Sequence, residues 1–389
     1  MEQSITLSPD QEHAKNAVLD WWYEDNRQED GGLIKLAGYA GTGKTTLLST
    51  IIREIHESTV KDSDDPIKVA YCAFTGKAAN ILRSKLELND DDFCGTIHSL
   101  IYRPILDSKE RLKGWAKCEA LEYDLIVIDE ASMVNEDIFK DLWRYGIPII
   151  AVGDHGQLPP VTGEFNLMAK PDVRLEHIHR QAADNPIIQV AHMARRDGKI
   201  HPRVYGPGVY KIETSHLYQA IADTFDPKAL YLCAFNATRS YVNKVYRERI
   251  GLTSEKPVKG EKVICLRNNK KAGIFNGMTG ILKSIQPHEK DYYVVDVEMD
   301  DDNKFGGLIS RFQFGQKDVP KDWNVYTMGN LFDWGYCLTV HKAQGSEADK
   351  VILIEQRGAS MDDDIFAKWL YTAVTRAKKE LLIIKQVRE

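Results

Sequence analysis

The sequence predicts an α/β fold: two parallel-sheet domains, a small antiparallel barrel inserted in the second, and a short arm inserted in the first. Three observations carry this. A glycine-rich turn at Gly38-Tyr39-Ala40-Gly41-Thr42-Gly43-Lys44-Thr45-Thr46 joins an apolar run to a helical pattern. Short Val/Ile/Leu runs ending in polar residues recur through the first half and return after about residue 228, as parallel strands covered on both faces do. Residues 256–330 break that rhythm with strand-like segments punctuated by turns.

The first strand is Gly32–Ala37, and Thr46–Glu54 reads as the helix that follows it. The turn between them has the spacing G-x-x-x-x-G-K-[ST]. Glycines at Gly41 and Gly43 let the backbone curl so that its N–H groups face a phosphate chain, with Thr42 and Thr46 completing the cradle. Lys44 is placed to neutralise the β/γ-phosphates, and the Thr45 hydroxyl to ligate Mg²⁺. A nucleoside triphosphate is the ligand this loop predicts.

The next strands are Lys68–Phe74, Asp124–Ile128 and Ile147–Val152. They lead into Thr75-Gly76-Lys77, Asp129-Glu130-Ala131-Ser132 and Gly153-Asp154-His155-Gly156-Gln157. Ligands of such sheets bind at the carboxyl ends of the strands, where these residues fall. Phosphoryl transfer needs a metal, a positioned water and positive charge around the γ-phosphate. Asp129 suits a metal ligand, Glu130 a group that orients or deprotonates the water, and Gln157 a contact to both the γ-phosphate and that water. Arg180 and Arg376 are the candidate positive charges. If Arg376 acts from the second domain, hydrolysis requires the two domains to close, as in a motor.

Between two core strands, Ile101–Leu121 carries Tyr102, Arg103, Arg111 and Trp115 and reads as a protruding arm. The second sheet is assembled from Ala229–Phe235, Cys337–Val340, Val351–Ile354 and Leu381–Ile384. The inserted barrel takes Lys262–Leu266, Gly280–Ile285 and Tyr292–Val297. Asn276-Gly277 is a turn, and the acidic run Asp300–Asn303 is a solvated hairpin tip.

With 389 residues the chain has room for two or three domains. Its apolar runs fall short of the roughly 18 residues a membrane span needs, and the acidic start does not resemble a signal peptide. Six scattered cysteines without a C-x-x-C pair suggest a reducing, cytoplasmic setting and no metal cluster. The formal charge of −6 argues mildly against nucleic acid. A local basic groove remains compatible with it, because screening confines such fields to about 10 Å.

Taken in order, these motifs resemble those of superfamily 1 helicases of the RecD/Dda-like group, over nearly the whole chain. They include Leu7-Ser8-Pro9-Asp10-Gln11, Ala73–Ala79, Gly95–Leu100, Gly153–Val161, Gly335–Glu347 and Tyr371–Ala377. The resemblance implies RecA-like motor domains at 1–100 with 122–180 and at 181–255 with 331–389. It also implies an SH3-like barrel at 256–330 and an arm at 101–121 that acts as a wedge, with Tyr102 or Trp115 stacking on a base. It implies ATP and Mg²⁺ as cofactors, Gln11 reading the adenine, and Gly345 and Glu347 near the nucleotide. Thr75, Lys77, Thr96, His98, Asn236, Thr339, His341 and Lys342 would line a groove for single-stranded DNA. The form Gln157-Leu158-Pro159-Pro160-Val161 implies 5′-to-3′ movement. Single-stranded DNA and duplex junctions are the partners implied, with a monomer as the working unit. An RNA helicase of the same superfamily and a non-unwinding, ATP-switched DNA-binding subunit are the alternatives.

Overall fold

A computed structural model of the chain describes residues 7–24, 32–62, 67–106, 112–160, 165–177, 184–274, 276–300, 304–359 and 361–387. It divides into two units, Met1–Arg103 with Ala116–Ile188, and Pro104–Trp115 with Gln189–Glu389.

In the first unit, α1 (Pro9–Tyr23) precedes β1 (Leu33–Gly38), α2 (Lys44–Asp62), β2 (Val69–Ala73), α3 (Gly76–Arg83), β3 (Phe93–Thr96) and α4 (Ile97–Ile101). The arm is a two-stranded sheet, β4 (Tyr102–Leu106) and β5 (Leu112–Lys117). The chain returns through β6 (Leu125–Asp129), α5 (Glu136–Trp143), β7 (Ile149–Gly153) and β8 (Val173–Leu175). Six strands form a parallel sheet in the order β3-β2-β6-β7-β1-β8.

Strand alternation divides the core between the two faces of this sheet. Leu125 and Val127 of β6 join Leu47, Leu48, Ile51 and Ile55 of α2 and Ala14 and Val18 of α1. Ile126 and Ile128 of the same strand join Ile97, Leu100 and Ile101 of α4 and Ile138 and Leu142 of α5. Each fully buried Leu or Ile contributes about 1.5–3 kcal/mol. Both faces are covered, which leaves the strand ends as the place for chemistry.

The second unit begins within α6 (Pro186–Asp197) and continues through β9 (Val204–Gly206), β10 (Val209–Thr214), α7 (Leu217–Asp223), β11 (Leu230–Cys233) and α8 (Asn236–Arg249). An antiparallel five-stranded sheet follows: β12 (Lys262–Cys265), β13 (Thr279–His288), β14 (Tyr292–Met299), β15 (Lys304–Ser310) and β16 (Phe332–Trp334), with a short α9 (Val325–Met328) before β16. Its order is β15-β14-β13-β12-β16, and an isolated bridge between Ile309 and Asn330 links the end of β15 to the chain entering β16. The expected barrel boundary at 330 falls short, because β16 pairs with β12 through Val263–Trp334 and Cys265–Phe332.

The chain then forms β17 (Cys337–Thr339), β18 (Ala348–Glu355), α10 (Asp363–Val374) and β19 (Ala377–Gln386). The second sheet runs β17-β11-β18-β19-β10-β9, parallel except for the β9–β10 pair. The four strands expected from apolar runs are joined by β9 and β10. These two are joined through Gly206-Pro207-Gly208, and those glycines and the proline mask the strand signal. Among the described residues no helix is long and apolar enough to cross a membrane, and all six cysteines are free thiols.

Candidate nucleotide site and nucleic-acid contact residues

β1 ends at Gly38, and the chain turns through Tyr39–Gly43 into α2. Gly41 and Gly43 hold φ of 84° and 74°, a region that L side chains resist, so the curl of the loop depends on them. The Thr42 hydroxyl donates to the Tyr39 carbonyl at 2.8 Å and is fully buried, which fixes the turn from within. The Lys44 ammonium donates to the carbonyls of Gly38 at 2.8 Å and Tyr39 at 3.1 Å. A cation in the first turn of a helix works against the helix dipole, and the first turn of α2 carries no acidic residue to offset it. Such a helix start favours an anionic ligand.

A cavity of about 500 Å³ opens here, lined by Gly41, Gly43, Lys44, Thr45 and Thr46 and also by Tyr39, Ser49 and Lys85. The last three were not legible as site residues. Tyr39 is fixed by the His155 ring, 4.3 Å away between centroids.

Asp129 stands at the carboxyl end of β6, and its Oδ1 accepts the Glu130 N–H at 2.9 Å. Burial raises its carboxyl above the ordinary range, and the same backbone bond and the charges of Lys44 and Lys85 pull it back down. Glu130 has φ of 52°, one of two non-glycine residues with positive φ among those described. Backbone strain of this kind costs about 1–3 kcal/mol and concentrates at functional sites. Gln157 is 6% exposed, and among the described residues its Oε1 finds no hydrogen-bond partner. Leaving a buried acceptor unpaired costs about 1–3 kcal/mol, so this atom is suited to accept from a ligand or water.

The donor set fits Mg²⁺, which takes one or two carboxylates, a hydroxyl and substrate phosphates rather than a protein cage. Among the described residues no group of three or more His, Cys, Asp or Glu side chains could hold a metal, so Asp129 and Thr45 would need phosphate oxygens to complete the shell.

Gln11 is 2% exposed, and both ends of its amide are engaged. Its Oε1 accepts the Ser8 N–H at 3.0 Å, and its Nε2 donates to the Thr42 carbonyl at 3.1 Å. It thereby ties α1 to the phosphate loop. Arg180 lies outside the described residues.

In the second unit Arg376 follows α10 and is 3% exposed. Its guanidinium donates to Thr372 O at 3.0 Å, Thr375 Oγ1 at 3.2 Å and Ser346 O at 3.4 Å. It therefore sits beside the Gly345–Glu347 segment, where Gly345 is buried with φ of 72° and Glu347 pairs with Lys378 at 3.1 Å.

The expected nucleic-acid residues gather at matching places. β2 and β3 pair Ala73 with Thr96, so Thr75 and Thr96 stand on neighbouring strand ends. Both hydroxyls also cap helices: Thr75 accepts from Ala78 N at 3.2 Å and Thr96 from Ser99 N at 3.1 Å. His98 lies between the rings of Phe74 and Tyr102. Lys77 occupies the second position of α3. In the other unit β11 and β17 pair Cys233 with Thr339, bringing the exposed Asn236 at the start of α8 close in register to Thr339, His341 and Lys342. In each sheet an edge strand and its neighbour carry this set. The Asn276-Gly277 turn joins it, since a Cβ at Gly277 would lie 4.0 Å from the Lys342 carbonyl.

Burial lowers the His341 imidazole, and it pushes the Lys342 ammonium down to about 8. Arg239 and Arg267 add to the depression, while Cys265 and Asp333 oppose it. Of these groups Arg239 comes from α8, whose buried residues beyond Asn236 had no part in the predicted site. Its Arg239 pairs with the fully buried Asp333 at 2.6 Å. Its Asn243 donates to Trp334 O at 3.0 Å and accepts from Cys337 N at 2.8 Å, pinning the chain between β16 and β17.

The wedge candidates are engaged. The Tyr102 hydroxyl donates to Asp141 at 2.6 Å, and Trp115 packs where a Cβ at Gly273 would meet its ring at 3.3 Å.

Known proteins share this arrangement. Residues 7–206 match the model of an AAA domain, and residues 335–384 that of a UvrD-like helicase C-terminal domain. The chain is 28% identical over 385 residues to an ATP-dependent RecD2 DNA helicase of Deinococcus radiodurans, covering 89% of this chain and 46% of that protein. It is 24% identical to the RecBCD enzyme subunit RecD of Mycolicibacterium smegmatis, covering 91% and 68%. It thus spans about half the length of the first relative. A structure of two coordinating Pif1 helicases at forked duplex DNA superposes with a TM-score of 0.53 at 19% identity, covering 98% of this chain and 92% of that one. A Bacteroides Pif1 with ADP-AlF3 and single-stranded DNA gives 0.51 at 20%, with the same coverage. With two RecA-like parallel sheets, a phosphate loop in the first and the AAA match over half its length, the chain belongs to the AAA domain family and is similar to RecD helicases.

Proposed function

We propose that the protein is an ATP-dependent DNA helicase that moves 5′-to-3′ along single-stranded DNA and opens the duplex ahead of it. The observation that carries this is the presence of one phosphate loop together with two strand-end sets of hydroxyls, amides and cations, each at an edge strand and its neighbour within its own sheet. Such groups suit phosphate and sugar contacts, which hold a strand without reading its sequence.

In this reading Lys44 and the α2 N-terminus bind the phosphates, and Thr45 and Asp129 would hold Mg²⁺. That ion, when bound, neutralises charge developing on the transferred phosphoryl group. Glu130 orients or deprotonates the attacking water, and Gln157 accepts from it. Arg376, with Arg180, supplies positive charge at the γ-phosphate. The three hydrogen bonds around Arg376 preorganise it for that task. An arginine in this role is worth ~10³–10⁵ in rate. The 5′-to-3′ direction rests on the Gln157–Val161 segment. The SH3-like character of β12–β16 rests on the resemblance, supported by the Ile309–Asn330 bridge.

Steady-state ATPase assays test the engine. Single-stranded DNA should stimulate turnover more than RNA of the same sequence, and Lys44→Ala and Arg376→Ala should each lose at least about a hundredfold. Stronger stimulation by RNA would favour the RNA-helicase reading, and undiminished turnover in both variants would remove the assigned site.

A further inference from the structure

The cavity above the phosphate loop is lined by two lysines, and only Lys44 belongs to the loop. The other, Lys85, comes from a separate part of the chain. α3 ends at Arg83, with Ser84 as its C-cap, and the Lys85 N–H closes the turn on Leu82 O at 3.0 Å. On either side of it the chain is fixed by packing. Leu82 is buried in the core that α2 shares, and Leu86 and Leu88 pack against the same cluster. Arg83 adds a tie from the end of α3 to the Cys94 carbonyl of β3.

The backbone at Lys85 is therefore held against the core that α2 shares, and Lys85 lines the cavity together with Ser49 of α2, one turn beyond Thr45. Its charge also acts on Asp129, the proposed metal ligand at the end of β6. The described residues give the Lys85 ammonium neither a hydrogen bond nor an ion pair. A fixed backbone and an uncommitted charge facing an anion cavity are what a phosphate contact requires, since the ordering cost of the segment is already met by packing.

We propose that Lys85 is a second cationic contact for the phosphates of the bound nucleotide, a positioning residue that acts from α3 beside Lys44. The proposal rests on the nucleotide site described above. It also gives α3 two ends with different tasks, because its N-cap is Thr75, one of the proposed DNA contacts.

Equilibrium titration of the full chain with a fluorescent non-hydrolysable ATP analogue in the presence of Mg²⁺ tests it, with thermal melts verifying that each variant is folded. Lys85→Ala should weaken binding roughly three- to tenfold, the range for an open charge-assisted contact. Lys85→Arg, which keeps the charge, should restore affinity to within about twofold. Lys44→Ala serves as the reference for loss of the loop itself. Unchanged affinity in Lys85→Ala beside a loss in Lys44→Ala would overturn the role of Lys85 and leave the nucleotide site standing. Equal weakening in Lys85→Ala and Lys85→Arg would also overturn it, by showing a packing effect. A wild-type chain that does not bind the analogue would overturn the nucleotide site as well.

Discussion

Lys342 shows how a single residue's surroundings set its chemistry. It lies beside Arg239 of α8, Cys265 of β12, Asp333 of β16 and Arg267, and burial leaves its ammonium pushed down to about 8. The sign is that of a cation disfavoured by its site: the charge is complete well below pH 8 and is lost as pH rises through it. A DNA phosphate stabilises the charged form, so binding is coupled to keeping that proton. Single-stranded DNA affinity of the wild-type chain should therefore fall between pH 7 and 9, approaching about tenfold per unit at the upper end. Lys342→Arg, charged throughout, should flatten that dependence. Identical pH profiles for the two proteins, followed by fluorescence anisotropy, would show that Lys342 does not contact the strand. The sequence offered His341-Lys342 as cations at a strand end. It did not show the lowered Lys342, because three of the four side chains that tune it lie 75 to 103 positions earlier in the chain and the fourth, Asp333, is buried with Arg239.

At the scale of elements, α8 is the piece with the largest consequence relative to its sequence signal. Arg239, Asn243 and Arg247 recur every four residues and form one polar face, yet all three are buried. Arg239 pairs with Asp333, Asn243 bridges Trp334 and Cys337, and Arg247 pairs with Glu261 at 2.7 Å while lying 4.1 Å from the Trp334 ring centroid. Asp333 is satisfied three times, by Arg239 and by the N–H groups of Gly315 and Trp334 at 2.8 Å. Breaking such a pair from one side leaves a buried charge, so Arg239→Ala should cost about 3–5 kcal/mol. Urea denaturation measures it; a loss below about 1 kcal/mol would mean the pair relaxes into water.

A polar helical face reads from sequence as a solvated one, which is why this inter-element lock was missed. The central strands were legible for the opposite reason. Leu125–Asp129 and Ile149–Gly153 are near-continuous apolar runs, and only burial on both faces explains them. The three-residue β8 and the Gly/Pro-flanked β9 and β10 are held by their neighbours rather than by their own pattern, so local periodicity carries little trace of them.

Across the whole molecule, most of the candidate site was legible because the motifs mark strand ends, and strand ends are where an α/β sheet places ligands. The loop Gly38–Thr46 announced its ligand by spacing alone. Lys85 did not, because its place in the cavity depends on how Leu82, Leu86 and Leu88 pack the chain after α3 onto the core that α2 shares. The net charge of −6 is likewise no guide to the partner, because the proposed track is made of a few groups at two sheet edges rather than a basic surface. The account's central claim is directional motion on DNA driven by ATP at the phosphate loop. Unwinding of matched duplexes carrying either a 5′ or a 3′ single-stranded tail tests it most directly, with Lys44→Ala as the control. The account predicts ATP-dependent strand separation of the 5′-tailed duplex, little for the 3′-tailed one and none with Lys44→Ala; preference for the 3′ tail, or unwinding that survives loss of Lys44, would contradict it.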